Sequence, residues 1–502
     1  VSDELDTQID VSIPDSEPVA VSATAGVARD AGLAISARVV AMACSSITAF
    51  VVASTLTKSD YGAYAIIFGI QVLLVMALDL GLTSSLARYV AQGRSDTRLV
   101  IAVATLRLAI IVAAALVVLA SPIVPAIDSS DLAPLLVPLA ALIVAQSLVA
   151  FQFGSLPALR RIRLLLLVTV AQPLLELVLV LGVRAQGGGA AEMIIATAIA
   201  GVVVSLIAWV LLLAPGRAAS RDIVDAPTEQ HATLAMVATY GRRIFLVSLL
   251  IALFGQIDQF VIGFFHPLAD VAPYALALKV QALLAAPAIT IAGIVAPRIA
   301  GAGAHGQALY RQWLAFLTVV TLGAILTICV LAPELFGAID ERYRDDWPLL
   351  VALAPFLLLS ALAPLPSITL NQTGHASSRL RIAAITVVVN VVLDLALIPS
   401  LGAWGAAIAT TIAFGYYFLR HDLLLEHELG KLVEAPTPSI RGVLARGVAM
   451  SVLVAGLAAM VKVGLDTVLD SPPDALVLLV AGGIAAVLHV AYSIRIVRRP
   501  LA

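Results

Sequence analysis

The segment 191–214 holds a single charged residue, Glu192, in twenty-four positions. An α-helix rises 1.5 Å per residue, so about 20 apolar residues cross the roughly 30 Å hydrocarbon core of a bilayer. Runs of this kind recur along all 502 residues, of which 61% are hydrophobic and 12% charged. A soluble domain is about half apolar and about a quarter charged, so a soluble globular enzyme is excluded. The fold class that remains is an all-α polytopic membrane protein. The net charge of −2 favours no charged partner, and no strongly basic region suggests nucleic acid. Cys44 and Cys329 both lie inside apolar runs, which supports neither a disulfide framework nor a thiolate metal site. No cofactor is expected.

Charge, glycine and proline punctuation divides the chain into fourteen predicted spans, near 31–55, 63–83, 99–120, 134–157, 164–183, 191–214, 241–265, 272–297, 310–332, 348–370, 380–398, 402–419, 443–462 and 475–494. Lysines and arginines accumulate on the cytoplasmic side of membrane helices, which tests the count independently. With the N-terminus inside, the cytoplasmic loops receive arginine groups such as Arg88, Arg94 and Arg98, then Arg160, Arg161 and Arg163, then Arg217, Arg221, Arg242 and Arg243. The external side receives only Lys58, Arg184, Arg342, Arg344 and Lys462, and Arg38, Arg107 and Lys279 fall within spans. Both termini are therefore expected in the cytoplasm. Trp209, Trp313, Trp347 and Trp404 fall toward span ends, where aromatic belts form.

Asp60-Tyr-Gly-Ala-Tyr64-Ala opens the second span and Asp270-Val-Ala-Pro-Tyr274-Ala the eighth, 210 residues later. At the same offset Arg88 falls on Arg298. Six spans intervene, so two parallel six-helix repeats are expected, with two further helices at the C-terminus. Parallel repeats are typical of transporters whose substrate lies between halves that rock against each other. The expected domains are a disordered acidic tail at 1–28, an N-terminal half at 29–220, a C-terminal half at 221–420, and a cytoplasmic loop with two helices at 421–502.

Three letter matches carry no function. Gly301-Ala-Gly-Ala-His-Gly306 follows a membrane span rather than a strand, His427-Glu428 lacks the second histidine of a zinc protease, and Asn371-Gln-Thr373 lies on the cytoplasmic side. The chain has no Walker motif to drive transport by nucleotide hydrolysis.

The stretch LTKSDYGAYAIIFGIQVLLVMALDLGLTSSLARYVAQG (56–93) resembles the start of polysaccharide flippases of the multidrug/oligosaccharidyl-lipid/polysaccharide (MOP) exporter superfamily. GQIDQFVIGFF (255–265) with YALALKV (274–280) resembles that family's seventh and eighth helices, and NVVLDLALIPSLGAWGAAIAT (390–410) its helix 11 to 12 hairpin. The resemblance covers about residues 30–420. It implies a flippase in the cytoplasmic (inner) membrane that moves a lipid-linked oligosaccharide, a polyprenyl-diphosphate sugar, to the outer leaflet for polysaccharide assembly, with polysaccharide polymerases as candidate partners. A drug/cation antiporter of the same superfamily and a membrane-embedded polymerase or glycosyltransferase are the competing readings.

An ionisable side chain at the bilayer centre costs roughly 2.5–3.5 kcal/mol on insertion scales, so each is a functional candidate. Arg38 and Lys279, with Gln256 and Gln281, are the candidate substrate-binding residues that would attract an anionic headgroup. Asp258 and Glu176 are the candidates for a coupling H+ or Na+. The depths of Asp258 and Lys279 also allow them to form a simple structural pair. Arg107 is expected to snorkel to the interface, Asp79 and Asp394 to lie near helix ends, and His489 to be structural. Pro173, Pro287, Pro355, Pro364 and Pro366 lie within spans as kinks or hinges.

Overall fold

The computed structural model describes residues 21–91, 97–120, 132–159, 161–213, 232–431, 433, 441–469 and 472–498. Among them every regular element is helical. The first set of helices is α1 (Val21–Thr55), α2 (Lys58–Asp79), α3 (Leu82–Ala91), α4 (Thr97–Ala120), α5 (Leu136–Ala158), α6 (Ile162–Ala185) and α7 (Ala190–Leu213). The second is α8 (Leu234–Phe254), α9 (Ile257–Phe265), α10 (Leu268–Gly301), α11 (Gly306–Val330), α12 (Ala332–Ile339), α13 (Trp347–Ala352), α14 (Ala354–Leu362), α15 (Pro364–Gln372), α16 (Ala376–Leu401) and α17 (Ala403–Gly430). The chain ends in α18 (Arg441–Val468), α19 (Asp474–Val477), a π-helical turn at Leu478–Gly482, and α20 (Gly483–Arg498).

Eleven of the described helices are long and apolar enough to cross a membrane. The other three expected spans correspond to the broken pair α8/α9, to α17 with its charged C-terminal extension, and to α19–α20 with its π turn. The expected tail at 1–28 differs in part: residues 21–28 continue α1 as helix, and 1–20 lie outside the described residues, as do Arg94, Arg160, Arg217 and Arg221.

Prolines explain where one expected span becomes several pieces. Residues 348–370 were expected as one helix and form α13, α14 and α15, each with proline at its first or second position. Proline has no N–H to donate, and the first turn of a helix is where that loss is harmless. Pro173 and Pro287 lie inside continuous helices. Between α2 and α3 the break is made by Leu80 (φ 48°) and Gly81 (φ 71°). A Cβ on Gly81 would stand 2.1 Å from the carbonyl oxygen of Gly241, so glycine serves both the left-handed turn and a close crossing of α3 over α8.

Within the first set α1 packs on α6 and α5 on α7, and within the second α16 packs on α17 and α10 on α15. The sets meet where α2 and α3 lie against α8, α9 and α10, and where α1 crosses α10. Near the end of α1 they share one hydrophobic core, including Val52, Tyr61, Ile67, Ile262, Tyr274, Phe336 and Tyr343. Toward the opposite face lie two further apolar clusters, one within the second set around Tyr310, Leu365 and Leu425 and one that again joins the sets, with Leu86 of α3 and Phe151 of α5 packed with Val237 of α8. At the Thr55 face a loop clamps the two sets together. Lys58 pairs with Asp346 at 2.7 Å, and Arg342 donates to the carbonyls of Leu56 (2.9 Å) and Ser54 (3.2 Å). α18 and α20 pack on α11 and are tied to the second set by Lys462–Glu334 and Arg344–Asp474, both at 2.5 Å.

Candidate functional site

The break at Phe254–Gln256 starts a new helix, α9, with Asp258 in its first turn. A helix N-terminus presents free N–H groups and a positive dipole end, which suits a carboxylate. Asp258 is 5% exposed and lies at the meeting of four helices. Its Oδ2 accepts from the Tyr274 hydroxyl of α10 and, at 2.6 Å, from Thr410 Oγ1 of α17. Its Oδ1 accepts from Asn390 Nδ2 of α16 at 3.2 Å. The same amide donates to Asp394 Oδ2 at 2.8 Å, because residues four apart share a helix face. Tyr274, Asn390 and Asp394 are fully buried and Thr410 nearly so.

Two carboxylates thus lie side by side in a dry site, and neither has an ion-pair partner among the described residues. Buried like charges repel, and burial raises the cost of each. The side-chain Oδ1 atoms of Asn390 and Asp394 are buried and receive no N–H or hydroxyl donor among the described residues, and the Asp394 carboxyl lies within hydrogen-bonding reach of Asp258. Carboxylate, amide and hydroxyl oxygens form a hard donor set that fits a proton or a small hard cation and not a soft metal.

A second polar centre spans the two helix sets. Glu176 on α6 accepts a 3.1 Å hydrogen bond from Thr197 Oγ1 of α7, and it lies close enough to Lys279 on α10 for the two charges to interact. Lys279 is exposed although Ala277 and Val280 beside it are buried. Val180, Ala277 and Val280 belong to the shared core, so Glu176 and Lys279 stand at the edge where that core ends.

The structure does not make the structural pair that the depths of Asp258 and Lys279 allowed: Asp258 is held by tyrosine, threonine and asparagine, and the carboxylate whose charge reaches Lys279 is Glu176, without direct contact between them. Gln281 donates to Ser360 Oγ at 3.0 Å. Gln256 caps the break before α9 and accepts from Gln259 at 3.5 Å. Arg38 is exposed on α1 beside exposed Val39 and Val40, apart from both centres and without an ion-pair or hydrogen-bond partner found among the described residues. Arg107 does not snorkel. It is 2% exposed, its Nε lies 3.1 Å from Asp79 Oδ1 at the α2/α3 break, and its guanidinium covers the Phe151 ring. Asp394 is no end cap either, standing seven residues before the end of α16. His489 is buried with Nε2 2.6 Å from the Val319 carbonyl. Asn390, Asp394, Thr410 and Tyr274 are the residues sequence reasoning missed. Signals for them were present: all four lie in the stretches 274–280 and 390–410 that carry the family resemblance, and Asn390 and Asp394 stand four residues apart inside an apolar run.

The fold is that of known transporters. The chain superimposes on an inward-closed form of the lipid II flippase MurJ with a TM-score of 0.64, at 13% identity over 93% of this chain and 99% of that one. An inward-facing multidrug resistance MATE transporter of the MOP superfamily gives 0.59 at 17% identity, over 78% and 95%. A MOP superfamily transporter from Pyrococcus furiosus gives 0.54 at 16% identity, over 80% and 96%. No curated protein matches the sequence. Residues 27–302 match the family described as polysaccharide biosynthesis protein, a range that includes Glu176, Asp258, Tyr274 and Lys279. With more than half of its length matched and the fold of MOP transporters around it, this multi-pass membrane protein belongs to the polysaccharide biosynthesis protein family.

Proposed function

We propose that the chain flips a lipid-linked oligosaccharide, a polyprenyl-diphosphate sugar, across the cytoplasmic membrane by alternating access, coupled to H+ or Na+. The observation that carries this reading is Lys279: a lysine eleven residues into a long apolar helix, exposed, and facing Glu176 across the two helix sets. A cation held there attracts a diphosphate, while Glu176 steadies it when no substrate is present. The two sets are then the rocking halves, parallel repeats spanning about 29–220 and 221–420.

The oxygen cluster supplies the coupling. Asp258, Asn390, Asp394 and Thr410 would hold the ion, whose positive charge cancels the repulsion between the carboxylates. That ion draws together α9, α16 and α17, which is how its binding would bias the second set. Each charge moved down the membrane potential contributes about 2.3 kcal/mol per 100 mV.

The antiporter alternative needs acids that a bulky cation can touch; Asp258 and Asp394 are too buried for that, and Glu176, which is half-buried, lies near Lys279, whose charge repels a cation. The polymerase alternative needs free acids near 333–347. There Glu334, Asp340, Glu341 and Asp346 pair with Lys462, Arg342, Arg344 and Lys58, which leaves only Asp345, an isolated exposed acid, without an ion pair among the described residues of the loop. The test is flipping of a fluorescent polyprenyl-diphosphate sugar in proteoliposomes. Lys279→Ala should cut the rate at least tenfold, and an unchanged rate overturns the cationic-site mechanism.

A further inference from the structure

A cavity of about 440 Å³ lies inside the second helix set, away from Lys279 and Glu176. That volume falls within the range of ligand pockets, about 300–1,000 Å³. Its walls are unlike a plain lipid crevice. Phe254, Phe414 and Tyr417 form an aromatic side, with ring centroids 4.9 Å apart for the first pair and 5.5 Å for the second. Ser360, Ser367 and Thr386 bring hydroxyls into it. Ser360 and Thr386 donate their protons to the carbonyls of Leu357 and Ile382; Thr386 keeps both lone pairs, and Ser360, which also accepts from Gln281, keeps one, to accept from a ligand hydroxyl. Ser367 stands 3.1 Å from the Tyr417 hydroxyl.

At the end nearer the arginine-rich face stands Arg379, the fourth residue of α16. No ion-pair partner for it is found among the described residues. Thr386 is seven residues further along the helix, about 10 Å at 1.5 Å per residue. The far end of the cavity is the oxygen cluster: Phe254, Thr386 and Phe414 are each four residues from Asp258, Asn390 and Thr410.

We propose that this cavity is a second, sugar-phosphate subsite, which takes the membrane-proximal sugar of the substrate against Phe414 and Tyr417 and its phosphate on Arg379 after that phosphate has left Lys279. The proposal rests on the flippase reading above. A pyranose has apolar C–H faces and a rim of hydroxyls, which matches an aromatic wall with scattered oxygen acceptors. A guanidinium fork suits a phosphate, which it can bind in bidentate fashion. A hydrocarbon chain in the same space would leave Arg379 uncompensated.

The test uses the full chain in nanodiscs and two probes, farnesyl diphosphate and farnesyl-diphospho-N-acetylglucosamine, with binding measured by titration calorimetry. The wild type should bind the sugar-bearing probe at least tenfold more tightly. Tyr417→Ala should abolish that difference, Tyr417→Phe should retain it, and Arg379→Gln should weaken both probes at least fivefold. Equal binding of the two probes by the wild type, or wild-type binding by Tyr417→Ala and Arg379→Gln, overturns the subsite. If the wild type still flips the fluorescent substrate in either case, the flippase reading stands and only the cavity assignment falls. A wild type that neither binds nor flips the sugar-bearing probes overturns both.

Discussion

Asp394 and Asn390 show what one turn of helix can do in an apolar run. Asn390 bridges two carboxylates with one amide, leaving its own carbonyl and Asp394 Oδ1 as buried acceptors. If these oxygens hold the coupling ion, Asp394→Asn removes charge with little change of shape. Differential scanning fluorimetry should then show a wild-type melting temperature that responds to Na+ or to pH at constant ionic strength, and a variant in which that response is lost. Arg107 answers to a different logic. Removing one partner of a buried ion pair leaves the other uncompensated, at a cost of about 3–5 kcal/mol. Arg107→Ala should therefore lower the melting temperature sharply, whereas Arg107→Ala with Asp79→Ala should recover part of the loss. Neither Arg107 nor Asp394 was legible in the sequence, because depth along a helix says how far a charge is from water but not which face meets a partner. Asp258, Glu176 and Lys279 were legible as ionisable residues inside the spans. Their partners were not, since Thr410 and Asn390 come from helices more than 130 residues further along the chain.

In the proposed alternating-access cycle the broken elements are the ones placed to move. α2/α3 divides at a left-handed pair and α8/α9 at Gln256, and both broken helices lie at the contact between the two sets. The loop 340–346 closes the Thr55 face over them by gripping the last carbonyls of α1, where a cation also suits the helix dipole. Its hydrogen bond to Arg342 is the main reason the Asp340 carboxyl is held below the usual carboxylate range. A depressed carboxyl contributes its stabilisation above the ordinary aspartate pKa and loses it only as the pH falls through the depressed value. The grip should thus persist through mild acidification and loosen only below the ordinary aspartate range. Maleimide labelling of a Ser54→Cys variant in cysteine-free protein reports it: labelling should stay low at pH 5. Lys58→Asp alone should increase labelling several-fold, and Lys58→Asp with Asp346→Lys should restore protection. Increased labelling in the double variant equal to that in the single one would show that Lys58 and Asp346 do not couple. The exact breaks of 348–370 escaped sequence reading because the prolines mark permitted helix starts as well as kinks.

At the scale of the molecule, apolar run length and arginine placement were enough to read an all-α membrane protein, and the motifs were enough to read its family. Hydrophobicity reports on the bilayer as solvent, so it survives without any knowledge of partners. The site depends on which helix faces meet across the contact of α2, α8 and α10, and in a chain apolar on every side that information is not periodic. Transport follows if the contact between the two sets opens and closes on alternate faces as the oxygen cluster fills and empties. The most direct measurement is flipping of a fluorescent polyprenyl-diphosphate sugar in proteoliposomes under an imposed inward Na+ or H+ gradient, compared with no gradient. Wild-type protein should flip several-fold faster with one of the two gradients, and Asp258→Asn and Asp394→Asn should show no acceleration. A wild-type rate indifferent to both gradients, or accelerated equally in both variants, would contradict ion-coupled flipping through this cluster.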